Sequence, residues 1–157
     1  MPAIALTDHG VMSGAIEFYK KAEKAGIKPI IGMEAYVVTK GSRFEKSTQP
    51  TESGGKRSAY HHLVLLAKDE RGYKNLIKLC SVGHLEGFYY KPRIDTEILR
   101  HYREGLVALS ACAGGVVSAH LVSGREDEAY EAAKIYKEIF ADDFYVEIQN
   151  HGLDKGM

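Results

Sequence analysis

Histidine, cysteine and carboxylate side chains that could bind a metal are dispersed along this sequence instead of lying in one short motif. Imidazole nitrogen, carboxylate oxygen and thiolate sulfur are the usual ligands of zinc, and additional carboxylates widen the choice to manganese and iron. The helical H-E-x-x-H signature is absent, so spacing alone indicates only a possible metal site. The candidate residues are Asp8, His9, Glu34, His62, Cys112 and His151.

Several of these candidates also have a purely structural interpretation. His9 could cap a turn, and Asp8 could cap a helix that begins near Val11, so the lone Asp-His pair leaves both accounts open. Glu34 is more informative because it lies at the centre of the apolar run 30–38. A carboxylate there is costly to bury unless it is paired with a cation or binds a metal. An edge strand with Glu34 facing water is the competing account.

Strand geometry and local context bear on the other candidates. His61 and His62 are adjacent, so in a strand they point to opposite faces, and we favour His62 as the ligand. Cys112 lies at a predicted strand-to-helix turn, where a helix amino terminus could stabilise a thiolate ligand or nucleophile. A buried, inert cysteine is the commoner case. Three histidines on predicted helices lack carboxylate neighbours and receive no role: His84, His101 and His120.

Short apolar segments alternate with helical patterns, which predicts an α/β fold with a mainly parallel sheet. Strands are predicted at 3–6, 28–38, 61–67, 106–110 and 144–148, and helices at 14–25 (capped by Ser13), after Asp69, through Ile98 and Leu99, through His120, and at 125–140. In barrels of such units the chemistry gathers after the carboxyl ends of the strands. His9, Cys112 and His151 each follow a predicted strand, so we expect them on one rim.

Two connecting segments carry basic and aromatic residues. Residues 39–59 are rich in Gly, Ser, Lys and Thr, which predicts an exposed loop that could act as a lid. Residues 86–95 are predicted to form an irregular connection whose aromatic group could stack bases, although packing beneath the loop is the preferred interpretation. The basic residues that could contact phosphate are Lys91 and Arg93 and, in the loop, Arg43, Lys46, Lys56 and Arg57.

The composition of the 157 residues, 45% of them hydrophobic, is that of one domain with a substantial core. Lys plus Arg equals Asp plus Glu at 21 each, so the chain lacks the basic excess needed to bind nucleic acid by charge alone. Two cysteines without C-x-x-C spacing indicate no disulfide framework and favour the cytoplasm. No signal peptide or membrane-spanning run is recognisable, so no membrane partner is expected.

Several segments, in order, resemble the polymerase and histidinol phosphatase (PHP) domain of bacterial DNA polymerase III alpha subunits. They are IALTDHG (4–10), GIKPIIGMEAYV (26–37), HLVLLA (62–67), LEGFYYKPRID (85–95), GLVALSAC (105–112) and EIQNHG (147–152). The resemblance covers essentially the whole chain.

This resemblance implies a distorted barrel of seven strands that holds up to three divalent metals, Zn, Mn or Fe. His9, Glu34, His62 and Cys112 fall on its ligand positions. It implies that Asp8 orients an imidazole from the second coordination shell and places His151 near the rim. The family's opening His-x-His motif and its later Asp-x-His motif are absent, so residues 1–157 are expected to be a partial domain lacking the first and last strands.

The implied function is bacterial DNA replication, with a phosphoesterase site that carries out 3'-5' exonuclease proofreading. DNA and other replicase subunits are the implied partners, and Mg the cofactor of polymerase domains outside this chain. Two alternatives stay open: a metal-binding scaffold without catalysis, and a free-standing phosphatase acting on a small phosphomonoester. The chain alone is expected to fold marginally, bind little metal and be inactive, because an unclosed barrel exposes sheet edges.

Overall fold

The computed structural model describes residues 1–46, 48–50, 56–58 and 60–150. Its strands are β1 (Ala3–Leu6), β2 (Lys28–Val38), β3 (Thr48–Pro50), β4 (Lys56–Ser58), β5 (His61–Ala67), β6 (Phe88–Tyr89), β7 (Lys91–Asp95), β8 (Leu106–Leu109) and β9 (Phe144–Tyr145). Its α-helices are α1 (Ala15–Lys24), α2 (Glu70–Leu85), α3 (Thr96–His101), α4 (Val116–Val122) and α5 (Glu126–Phe140). None of these helices is long and apolar enough to cross a membrane.

The main sheet is mixed and open. Its strands follow the order β6-β7-β2-β5-β8-β9, and β1 also pairs with β2. β1 and β7 are parallel to β2, and β9 is parallel to β8, but β5 runs antiparallel to both β2 and β8. The α/β class is confirmed, and the prediction of mainly parallel strands is wrong. The described residues of the link from β2 to β5 form no helix, and an antiparallel pair needs no crossover helix.

The long strand β2 organises the sheet. Its first part, Lys28–Ile31, pairs with β1, and its last part, Tyr36–Val38, pairs with β7. Strand β5 pairs with one edge of β2 from Gly32 to Val37. Strands β1 and β7 follow one another along the opposite edge of β2. The end of β1 therefore lies beside the middle of β2, where His9 and Glu34 form a bridge.

The helices cover the sheet largely as predicted. Asp69 caps α2 by accepting a hydrogen bond from the Gly72 N–H at 2.8 Å. The predicted Ser13 cap is wrong, since Gly14 occupies the N-cap of α1 without a side-chain hydrogen bond. Cys80 packs against the hydrophobic core, and burial raises the pKa of its thiol. It is thus held in the unreactive protonated form.

Both predicted irregular connections contain strands. Within residues 39–59, β3 and β4 pair antiparallel, and residues 47, 51–55 and 59 lie outside the described residues. Residues 86–95 form the β6–β7 hairpin, and β7 is an inner strand beside β2. Strand β7 was not predicted because the charged residues on either side of Ile94 were expected to face solvent. In the structure, Arg93 and Asp95 are both buried.

A buried charge network joins this hairpin to residues 43–45. Asp95 accepts hydrogen bonds from the Arg43 backbone N–H at 2.9 Å and from Arg43 Nη1 at 3.1 and 3.2 Å. It also accepts from the Ile98 N–H at 3.1 Å and so caps α3. Glu86 accepts from Arg43 Nε at 2.8 Å. This network, not solvent, neutralises Arg43, which is 8% exposed.

His120 carries a prediction for the pH dependence of stability. It is buried beneath α5. Burial lowers the pKa of its imidazole below the ordinary 6.5, and the positive charge of Arg125 lowers this pKa further. The unfolded chain therefore takes up a proton before the folded chain does, and stability falls as the pH drops below 6.5. Between pH 8 and pH 5, we expect the melting temperature of the chelator-treated His120→Phe protein to fall less than that of the chelator-treated wild-type protein. Equal slopes for both proteins would contradict this assignment.

Candidate metal centre

Four predicted ligands meet at one edge of the sheet. His9 follows the carboxyl end of β1, Glu34 lies within the parallel strand β2, and Cys112 follows β8. His62 lies at the amino end of β5, and because β5 is antiparallel, that end lies at the same edge. His9 and Cys112 therefore lie on one rim, as the sequence predicted. His151, the third residue predicted there, lies outside the described residues.

Glu34 lies between two imidazoles. Its Oε2 is 3.5 Å from His9 Nε2, and its Oε1 is 2.7 Å from His62 Nδ1. Ligand atoms of these three residues all lie within 4.8 Å of one another. The side chain of Glu34 is 14% exposed, that of His62 is 21% and that of His9 is 57%. The carboxylate is therefore enclosed, while His9 opens the site to solvent.

Cys112 lies beside Glu34 and His62. Its Sγ lies 3.8 Å from Glu34 Oε1 and 3.6 Å from His62 Nδ1, and it accepts a hydrogen bond from the Gly114 N–H at 3.3 Å. The turn that carries Cys112 is tied to β5, because the His62 N–H donates to the Gly114 carbonyl at 2.9 Å. We call His9, Glu34, His62 and Cys112 the candidate metal centre.

Gly114 permits this close approach. A Cβ on Gly114 would lie 3.0 Å from His62 Nδ1, so a larger residue would require the imidazole to shift by a few tenths of an ångström. Gly114 was not among the predicted site residues. Its proximity to His62 depends on two chain segments that are far apart in sequence, so no local pattern signals it.

A second residue that sequence reasoning missed is Tyr36. It is 6% exposed, and its ring centre lies 5.3 Å from that of His62 and 6.1 Å from that of His9. Tyr60 packs against Tyr36 at 4.9 Å between ring centres. The available signal was the strand period, since Tyr36 follows Glu34 by two residues and therefore shares its face of the strand. These rings limit the orientations that the two imidazoles can adopt.

The backbone that follows His9 is fixed from two sides. The Gly10 N–H donates to the Glu34 carbonyl at 2.9 Å, and the Gly10 carbonyl lies 3.0 Å from His84 Nε2. Gly10 has φ +68°, and a Cβ there would lie 2.7 Å from Pro92 Cγ. His84, which sequence reasoning left without a role, thus helps to position the segment that carries His9.

Asp8 lies apart from the candidate metal centre. Its carboxylate faces the start of α1, where a Cβ on Gly14 would lie 3.3 Å from Asp8 Oδ2. Its backbone carbonyl accepts a hydrogen bond from the Glu34 N–H at 3.0 Å, which fixes the register of β1 beside β2. The proposed orientation of an imidazole by Asp8 stays a prediction.

The two predicted phosphate contacts, Lys91 and Arg93, have different environments. Lys91 is exposed, and its Nζ lies 5.4 Å from the centre of the Tyr36 ring, at the border of the candidate metal centre. Arg93 is 1% exposed and donates to the carbonyls of Gly87, Arg43 and Glu45 at 2.9 to 3.0 Å. A guanidinium so enclosed offers no surface to a phosphate, and we attribute a structural role to it.

The donor set suits a divalent metal of borderline softness. Two imidazoles, one carboxylate and one thiol are the ligand types that zinc takes in proteins, and manganese and iron share the nitrogen and oxygen donors. The described part of the chain is thus an α/β domain with a possible metal site at one edge of its sheet.

The family follows from comparison with known proteins. The model of the PHP domain matches residues 1–151, so the chain belongs to the PHP family, as its motifs had indicated. DNA polymerase III subunit alpha of Borreliella burgdorferi is 52% identical over 153 residues, covering 98% of this chain and 13% of that protein. The subunit of Thermus aquaticus is 52% identical over 152 residues (97% and 12%), and that of Aquifex aeolicus is 48% identical over 151 residues (96% and 13%). The chain therefore spans about one eighth of the length of these relatives.

Proposed function

We propose that this chain is the PHP domain of a bacterial replicative polymerase alpha subunit and that its candidate metal centre hydrolyses phosphodiester bonds of DNA. The observation that carries this proposal is the position of Glu34, enclosed between His9 and His62 with the Cys112 thiol beside it. Removal of nucleotides from a 3' end, as in proofreading, is the reaction that best suits a replicase.

The residues of the site would have different roles according to how exposed their side chains are. His9, Glu34, His62 and Cys112 would hold a divalent metal cluster of Zn, Mn or Fe, to which residues outside the described ones would add ligands. A metal bound there polarises a phosphoryl oxygen and lowers the pKa of bound water. Glu34 and His62, which are mostly buried, fix the ligand geometry, and the exposed His9 marks the side from which a phosphodiester enters.

The assignment to a replicase extends to its partners. DNA and other replicase subunits would bind the full-length protein, which would act in the cytoplasm as a DNA-directed DNA polymerase. Its polymerase domains, outside this chain, would use Mg. The support for this step is the 48 to 52% identity of this chain to three DNA polymerase III alpha subunits.

Metal analysis of the full-length protein tests the site. We expect His9→Ala combined with Cys112→Ala to lower the content of Zn, Mn or Fe, measured by elemental analysis, to less than half of the wild-type value. The control is His101→Ala, which removes an exposed histidine outside the site and should leave the metal content unchanged. Equal metal content in all three proteins would refute the assignment of these ligands.

The same proteins separate catalysis from a scaffold role. Wild-type protein should release nucleotides from the 3' end of a labelled single-stranded oligonucleotide, and the His9/Cys112 double variant should not. Full metal occupancy without hydrolysis in the wild type would favour the scaffold instead.

A further inference from the structure

Two aromatic rings of the turn between β6 and β7 face solvent. Phe88 is 55% exposed and Tyr90 is 72% exposed. Packing beneath the loop, which the sequence had favoured, therefore applies most fully to Tyr89, whose ring lies 5.3 Å from the Arg93 guanidinium. We call residues 88–91 the aromatic turn.

The backbone of the aromatic turn is strained at Tyr90. Its φ is 60°, a left-handed conformation that glycine or asparagine adopts readily and a bulky aromatic residue rarely does. Strain of this kind costs on the order of 1 to 3 kcal/mol and persists mostly where it serves a function. The Tyr90 ring contacts the Tyr89 ring at 4.7 Å between centres, and an aromatic pair worth about 0.5 to 1.5 kcal/mol offsets only part of this strain.

The aromatic turn adjoins the candidate metal centre. Lys91 Nζ lies 5.4 Å from the centre of the Tyr36 ring, and that ring contacts both His9 and His62. Phe88 stacks on His84 at 6.2 Å between ring centres, and His84 contacts the Gly10 carbonyl next to His9. The Phe88 ring and the Lys91 ammonium group thus lie at the border of the site, and Tyr90 lies between these two residues in the same turn.

We propose that the aromatic turn binds the end of single-stranded DNA beside the candidate metal centre, with a base stacked on Tyr90 and a backbone phosphate contacted by Lys91. Proteins that bind single strands without sequence preference combine aromatic stacking with basic side chains in this way. The inference rests on the proposed phosphodiesterase function and specifies its substrate as a strand end with an unpaired base.

A comparison of two substrates in the full-length protein tests the proposal. One is a single-stranded oligonucleotide, and the other is identical except for abasic residues at its 3' end. Stacking is worth roughly 1 to 3 kcal/mol per base, so Tyr90→Gly should lower kcat/KM for the normal end by roughly 5- to 150-fold. The rate on the abasic end should not change. Tyr90→Phe should retain activity, and Lys91→Gln should slow both substrates alike.

Two controls separate recognition from folding. Tyr130→Ala removes a tyrosine of matching exposure, 71%, from α5 and should leave both rates unchanged. Tyr90→Gly should melt at or above the wild-type temperature because it relieves strain, whereas a structural tyrosine would lower the melting temperature on removal.

A second readout is made in the presence of a chelator, so that hydrolysis of the probe does not release the fluorescent base. The fluorescence of a 3'-terminal 2-aminopurine should be quenched by the wild-type protein and less so by Tyr90→Gly. If the wild type hydrolyses DNA but Tyr90→Gly hydrolyses both ends at the wild-type rate, the inference is overturned and the proposed function stands. If the wild type hydrolyses neither substrate, the proposed function fails. In the fluorescence experiment, equal quenching by the wild type and by Tyr90→Gly would overturn the inference.

Discussion

Glu34→Gln in the full-length protein is expected to remove most of the bound metal and to lower phosphodiester hydrolysis by roughly 10³-fold, as loss of several kcal/mol of metal-derived stabilisation would require. Glu34 is the residue that contacts both imidazoles, at 3.5 Å to His9 and 2.7 Å to His62. Glutamine preserves the shape of the side chain but removes its charge. The site then lacks the carboxylate that balances a divalent ion.

Metal content and rate should be measured on the same preparations. The matched control is Glu131→Gln, which makes the same change at an exposed position on α5 and should alter neither quantity. A Glu34→Gln protein with full metal content and wild-type hydrolysis would show that the carboxylate is a structural partner of the two histidines only.

Asp95→Ala is expected to have the largest effect on stability. Asp95 is 2% exposed and accepts hydrogen bonds from Arg43 and from the Ile98 N–H. Alanine would leave the buried Arg43 guanidinium without this partner, and breaking a buried ion pair from one side costs about 3 to 5 kcal/mol. α3 would also lose its N-terminal cap, which typically contributes about 1 kcal/mol.

Hydrogen exchange in the full-length protein measures this loss locally. Because the Arg43 and Ile98 amides both donate to Asp95, their exchange should accelerate roughly 10²- to 10⁴-fold in Asp95→Ala, as a loss of about 3 to 5 kcal/mol requires. Asp95→Asn should have a smaller effect, since its amide oxygen can still accept. Glu17→Ala, which breaks the exposed Glu17–Lys21 pair, should change nothing measurable. Exchange within threefold of wild type in Asp95→Ala would contradict the proposed network.

Features that depend on neighbours in the sequence were predicted well. The bounds of β2 agree with the apolar run at 28–38, and the Asp69 cap of α2 agrees with its local pattern. The family could likewise be recognised, because its motifs are short contiguous segments. The placement of His9 and Cys112 after strands followed from the same local signals, and the structure brings both residues to one edge of the sheet.

Strand direction and the environment of charged side chains could not be predicted in this way. Period-2 patterns are the same for parallel and antiparallel strands, so the antiparallel course of β5, which brings His62 to the site, had no sequence signal. The burial of Arg93 and the exposure of Tyr90 were both predicted incorrectly. Each depends on which distant segment packs against the β6–β7 hairpin.

The sequence by itself therefore determined the helices, most of the strands and the residue types able to bind a metal, because periodicity, capping and motif identity are local properties. The tertiary structure decided that Glu34 lies between His9 and His62, that Arg43 and Asp95 form a buried pair, and that Lys91 borders the site. The physical reason is that these contacts join residues far apart in the chain. They exist only once β1, β5 and β7 have taken their places along β2.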